Sequence, residues 1–89
     1  MPASSEVLVA LPADVALHAR PAGQFVKAAM GFKSQLTVAV DGRDANAKSI
    51  LQVLALGATG GTVLTLRAEG EDAAEALDAL AGCIDRLTE

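Results

Sequence analysis

The chain has 89 residues, 52% of them hydrophobic, and a formal net charge of -4. That length predicts a single domain over residues 1–89 with one core, and with Phe25 and Phe32 the only aromatic side chains the core must be built from Ala, Val, Leu and Ile. The acidic balance without a basic run argues against nucleic acid as a partner, the apolar stretch Val7 to Leu11 is too short for membrane insertion, and the lone Cys83 allows neither an intrachain disulfide nor a multi-cysteine metal site and fits a cytoplasmic compartment.

Met1 to Ser5 reads as a short end before a strand. That strand runs from Glu6 to Leu11, is rich in Val and Leu, and closes at Pro12. Pro12 to Leu17 reads as a loop. From Pro21 to Met30 the apolar residues Ala22, Phe25, Val26, Ala29 and Met30 recur at helical spacing, with Gly31 as the stop signal, which assigns Met30 to the core. Gln35 to Val40 alternates, with Leu36, Val38 and Val40 on the apolar side. Asp41-Gly42 then predicts a hairpin turn, because Gly readily adopts positive φ, and Arg43 to Ala47 a return strand.

Ser49 to Leu56 reads as a short helix opened by the S-x-x-Q spacing of Ser49 and Gln52, a capping box, and ended by Gly57. Thr62 to Ala68 is a β-branched strand broken by Gly70. Asp72 and Glu75 predict an N-cap and a first-turn carboxylate for a last helix. Its seam is Ala73, Leu77, Leu80, Ile84 and Leu87, with Arg86 near its end and Cys83 read as a buried thiol. The order β-α-β-β-α-β-α predicts an α+β fold: a four-stranded sheet with all three helices on one face.

The chemistry concentrates at the only histidine, in Leu17-His18-Ala19-Arg20-Pro21. A helix N-terminus there carries unpaired backbone N–H groups and partial positive charge, which suits an anion. A neutral imidazole beside it presents a ring nitrogen as nucleophile, and Arg20 offers a planar fork for phosphate oxygens. Pro21 suits a first helical turn, where its missing N–H has no partner to lose. No P-loop, no serine or cysteine triad and no clustered metal ligands compete with this site. On spacing alone, a surface or capping role for His18 explains the residues as well as a nucleophilic one.

Leu17-His18-Ala19-Arg20-Pro21-Ala22 resembles the phosphorylation-site signature of the HPr family, the histidine-containing phosphocarriers of the bacterial sugar phosphotransferase system. Lys48-Ser49-Ile50-Leu51 with Leu56-Gly57 is similar to the family's second signature, around its regulatory serine, and Phe25-Val26-Lys27 and Glu69-Gly70-Glu71-Asp72 also match. The resemblance covers nearly the whole chain and implies an open-faced β-sandwich. It implies that His18 accepts a phosphoryl group from phosphorylated enzyme I, stabilised by Arg20, and donates it to IIA domains of sugar permeases. No cofactor and no metal would be needed, and the chain would be a stoichiometric carrier rather than an enzyme. It implies Ser49 as the target of a regulatory serine kinase/phosphorylase, and Ile50, Leu51, Lys27 and Lys48 as docking residues. Charge at the two lysines would speed encounter with acidic partners.

One departure is Ala16, where the family usually has Gly; a positive φ there would be strained. The alternative within the family is a carrier of a nitrogen-related or dihydroxyacetone-kinase chain. Outside it stand a small acylphosphatase-like enzyme, for which Asn46 is the only Asn available, and a binding module with an incidental histidine.

Overall fold

The computed structural model describes residues 4–88. Its elements run β1 (Ser4–Ala10), α1 (Ala19–Ala29), β2 (Gln35–Val40), β3 (Arg43–Asn46), α2 (Ile50–Ala55), β4 (Val63–Glu69) and α3 (Ala73–Asp85). The expected order is thus found, and β2 has its expected limits. Of the short N-terminal end expected at Met1 to Ser5, Met1 to Ala3 lie outside the described residues. Ser4 and Ser5 belong to the strand, because β1 stays in register with β4 from Ser4↔Glu69 to Ala10↔Val63.

The sheet order is β1-β4-β2-β3, with every pair antiparallel. Period-two alternation makes one face apolar. Leu36, Val38 and Val40 of β2 and Leu64, Leu66 and Ala68 of β4 are buried there, against Phe25 and Val26 of α1, Val53 of α2 and Leu77, Leu80 and Ile84 of α3. Full burial of each large side chain contributes about 1.5–3 kcal/mol. Phe25 is fully buried among aliphatic side chains, and the half-buried Phe32 packs against the same core.

The opposite face of the sheet is open. Arg67 crosses it, with its Nη2 2.7 Å from Asp44 Oδ1 and its Nε 3.8 Å from Glu6 Oε2, on the face that also carries the exposed Leu8 and Val63. The hairpin turn takes positive φ at both central residues, 51° at Asp41 and 80° at Gly42, the geometry that matches strand twist. Asp41 is the only non-glycine residue with positive φ among the described residues, so Ala16 carries no such strain.

Two expectations, at Met30 and Cys83, need correction, and the expected N-cap Asp72 is found with its side chain engaged elsewhere. Met30 is not core: it is the C-cap of α1 and 66% exposed, because one residue past the last helical position rotates it off the apolar stripe. Asp72 stands at the N-cap of α3 but makes no side-chain capping bond. Its carboxylate instead accepts hydrogen bonds from the Lys33 and Ser34 N–H groups, each at 2.9 Å, and from Ser34 Oγ, which ties the α1–β2 connection to the start of α3. Cys83 is half-buried rather than buried; desolvation raises its thiol pKa, against the lowering influence of Arg86.

Candidate functional site

Residues Leu11 to Leu17 cross from β1 to α1 without regular structure, yet their course is fixed. Leu11, Val15 and Leu17 are buried in the core, Val15 N–H bonds Pro12 O at 3.1 Å, and Leu17 N–H bonds Ala58 O at 2.9 Å. Buried apolar anchors at both ends of this segment therefore deliver the next residue, His18, to the surface. His18 is the N-cap of α1, with extended backbone at φ −108° and ψ −166°, and its carbonyl accepts the first helical bond from Ala22 N–H at 2.9 Å.

The start of α1 carries no side-chain cap of its own. His18 makes no side-chain capping bond, no acidic residue occupies the first turn, and Pro21 removes one donor. The Ala19 and Arg20 N–H groups lie among the first donors of the helix, which have no carbonyl four residues back inside it. His18, Ala19 and Arg20 are all exposed, whereas Pro21 and Ala22 are buried and anchor the turn beneath them. The structure thus places an imidazole, two first-turn amides and a guanidinium at one exposed end of α1. The best-formed grooves line the β2–β3 hairpin, the β1–β4 pair and the α2–β3 contact rather than this end of α1.

The second cluster opens α2. Ser49 Oγ accepts from Gln52 N–H at 3.3 Å, the first half of the expected capping box. The second half differs. Gln52 Oε1 reaches past Ser49 to the Asn46 N–H at 2.8 Å, because Ser49 N–H is already bonded to Asn46 O at 2.9 Å. Asn46 Oδ1 accepts from Lys48 N–H at 2.9 Å, and Lys48 Nζ donates to Phe32 O at 2.6 Å. At the other end of α2, Arg43 donates to Leu56 O at 2.7 Å, where a cation also complements the helix dipole.

The five apolar residues of this segment divide. Val53 and Leu56 are buried and Leu54 is half-buried, whereas Ile50 is 37% and Leu51 78% exposed. Packing between α1 and α2 places these exposed side chains, the exposed Lys27 and the exposed Met30 on adjoining helices of one layer. Lys48, by contrast, is half-buried with its ammonium engaged. Met30 was missed in the sequence because i, i+3, i+4 spacing does not say which residue of the last turn leaves the stripe. Among the described residues no group of three or more His, Cys, Asp or Glu is arranged to hold a metal ion, and no helix is long and apolar enough to cross a membrane.

The family model for the PTS HPr component phosphorylation site matches residues 4–86. The phosphocarrier protein HPr of Vibrio cholerae is 44% identical over 82 residues, 92% of this chain and 96% of that protein. The HPr-like protein Crh of Bacillus subtilis is 46% identical over 68 residues, 76% of this chain and 80% of that one. The crystal structure of a phosphocarrier protein HPr from Bacillus anthracis superposes with a TM-score of 0.88 at 38% identity, covering 92% of this chain and 98% of that one.

Proposed function

The chain belongs to the HPr family of phosphotransferase-system phosphocarriers, and we propose that His18 is its phosphoryl acceptor, charged by phosphorylated enzyme I and discharged to IIA domains of sugar permeases. The observation that carries this reading is the exposed imidazole at the N-cap of α1, with Arg20 and the first-turn amides around it and no acidic residue in the turn.

The chemistry is a displacement at phosphorus. The His18 ring nitrogen nearer the backbone attacks the phosphoryl group as its bond to the donor breaks, and the donor keeps the bonding electron pair. On delivery the same exchange runs with His18 as leaving group, so the chain ends as it began and acts as a carrier rather than a catalyst. Charge spreads over the phosphoryl oxygens during transfer, and Arg20 with the Ala19 and Arg20 N–H groups meets it. Exposure keeps the product transferable, since a buried and fully bonded phosphohistidine would be a poor donor.

Ile50, Leu51 and Lys27 form the docking surface for these partners, joined by Met30. Lys48 is better read as a brace for the α1–β2 connection, given its bond to Phe32 O. Ser49 is the site for a regulatory serine kinase/phosphorylase. A phosphate there adds roughly -1.5 to -2 charges beside two exposed apolar side chains without opposing the helix dipole. The work takes place in the cytoplasm.

Incubation with phosphoenolpyruvate and enzyme I, followed by intact mass, tests the proposal. The wild type gains one phosphoryl group that is stable in alkali, lost in acid and transferable to an IIA domain. His18→Ala gains none while keeping its fold. A variant phosphorylated like the wild type would sink the assignment.

A further inference from the structure

The loop that delivers His18 rests on a second loop, between α2 and β4. Three contacts join them. Leu11 N–H bonds Thr62 O at 2.9 Å, Gly61 N–H is shared between Leu11 O and Pro12 O at 3.2 and 3.3 Å, and Leu17 N–H bonds Ala58 O at 2.9 Å. Between these contacts the backbone of Gly60 lies against the peptide of Ala13. A Cβ at position 60 would fall on the Ala13 carbonyl oxygen, 2.8 Å from its carbon and 3.3 Å from Pro12 O.

Gly60 is unlike the glycines around it. Gly57 and Gly61 have φ of 63° and 81° with open space where a Cβ would stand, so each is a glycine for backbone conformation. Gly60 has no positive φ, and an L-residue can adopt its backbone. What bars a side chain there is the neighbouring loop, and that obstacle is rigid backbone rather than a flexible side-chain end. The requirement at position 60 therefore concerns the path of Pro12 to Leu17, not the turn that contains it.

That path ends at His18. Downstream, α1 is held independently by Pro21, Ala22 and Phe25 in the core. Upstream, β1 is held by its ladder with β4. Displacement of Ala13 must therefore be absorbed between Val15 and His18, where His18 N–H bonds Ala16 O at 2.9 Å.

We infer that Gly60 is a positioning residue for His18: its bare backbone lets the Ala58–Gly61 turn clamp the delivery loop, and through Leu17 this sets the orientation of the imidazole. The inference rests on the proposed role of His18 as acceptor. Misplacement of a reacting group by about 1 Å costs up to about a hundredfold in rate. Gly60→Ala should accordingly lower the maximal rate of phosphorylation by enzyme I about tenfold to a hundredfold. The concentration of carrier giving half that rate should stay unchanged, because Ile50 and Leu51 are untouched.

The experiment compares Gly60→Ala with Gly57→Ala, which strains the same connection without meeting the delivery loop. Three readouts are taken: the His18 ring ¹H and ¹⁵N shifts, enzyme I kinetics, and, in the wild type, exchange of the Leu17 amide with solvent. The inference expects displaced His18 ring signals and a lowered maximal rate only in Gly60→Ala, and a protected Leu17 amide. Wild-type ring shifts in Gly60→Ala, or equal rate losses in the two variants, would overturn it. Should Gly60→Ala fail to fold, a Leu17 amide exchanging as fast as an open loop would overturn it as well. A wild type that enzyme I does not phosphorylate would refute the acceptor role, while the ring shifts still decide the positioning.

Discussion

The starts of the three helices differ sharply in what their side chains do. At α2, Ser49, Gln52, Asn46 and Lys48 form a chain of hydrogen bonds that satisfies local backbone donors and fastens the α1–β2 connection. At α3, the Asp72 carboxylate is taken by Lys33 and Ser34. At α1 no side chain caps the helix, and His18 and Arg20 stand exposed beside its first amides. Only α2 is thus capped by its own side chain; α1 and α3 both lack a side-chain capping bond, and of these two α1 alone presents an exposed imidazole and guanidinium at its start. The difference separates a structural cap at α2, judged by stability, from the proposed acceptor site at α1, judged by transfer.

The largest effect expected from breaking this contrast, short of removing His18, is at Arg20. Losing a charged hydrogen bond typically costs about 1.5–3 kcal/mol. Arg20→Ala should therefore slow single-turnover transfer roughly tenfold to a hundredfold, at little cost in melting temperature for an exposed side chain. Transfer at the wild-type rate would make Arg20 a plain surface charge.

Ser49 sharpens the contrast from the other side. Ser49→Ala removes the bond to Gln52 N–H and should lower stability by about 0.5–2 kcal/mol in chemical denaturation while transfer persists. Ser49→Asp keeps an acceptor at the cap, so stability holds or rises slightly. Its charge beside Ile50 and Leu51 should weaken enzyme I binding and slow phosphorylation of His18. Equal transfer by wild type and Ser49→Asp would leave the serine as a cap alone.

The smallest effect is in acid. Hydrogen bonds, led by that from Ser34 Oγ, lower the Asp72 pKa from 3.8 to about 2. A folded pKa below the unfolded one means stability that is present above about pH 4 and lost as pH falls through about 2. Asp72→Asn should melt below the wild type near neutrality, and the gap should close on acidification toward pH 2. A gap independent of pH would show that the carboxylate charge does not matter to this contact.

The fold was largely legible because periodicity carries it. Leu36, Val38 and Val40 announce the inner face of β2, Asp41-Gly42 the hairpin, and Ala73, Leu77, Leu80 and Ile84 the buried seam of α3. What failed was partner choice. Asp72 has the spacing of a cap, but spacing cannot show that Lys33 and Ser34, nearly forty positions earlier, compete for the carboxylate. Gln52 likewise has capping-box spacing, yet bonds Asn46 once the Ser49 amide is occupied. Local motifs reveal which groups need partners; the tertiary structure decides which they get. The same holds for the candidate site: His18 and Arg20 follow from the signature, whereas the support of their loop by Ala58 and Gly60 depends on two segments that meet only in the folded chain.

The most direct test of the division between helix starts is a ¹H–¹⁵N spectrum of the uniformly labelled protein before and after charging by phosphoenolpyruvate and enzyme I. The account predicts the largest amide shifts at Ala19 and Arg20, together with the His18 ring, while the Gln52 and Asn46 amides, already bonded within the α2 start, hold their positions. Shifts centred on Gln52 and Asn46, with Ala19 and Arg20 unmoved, would contradict it.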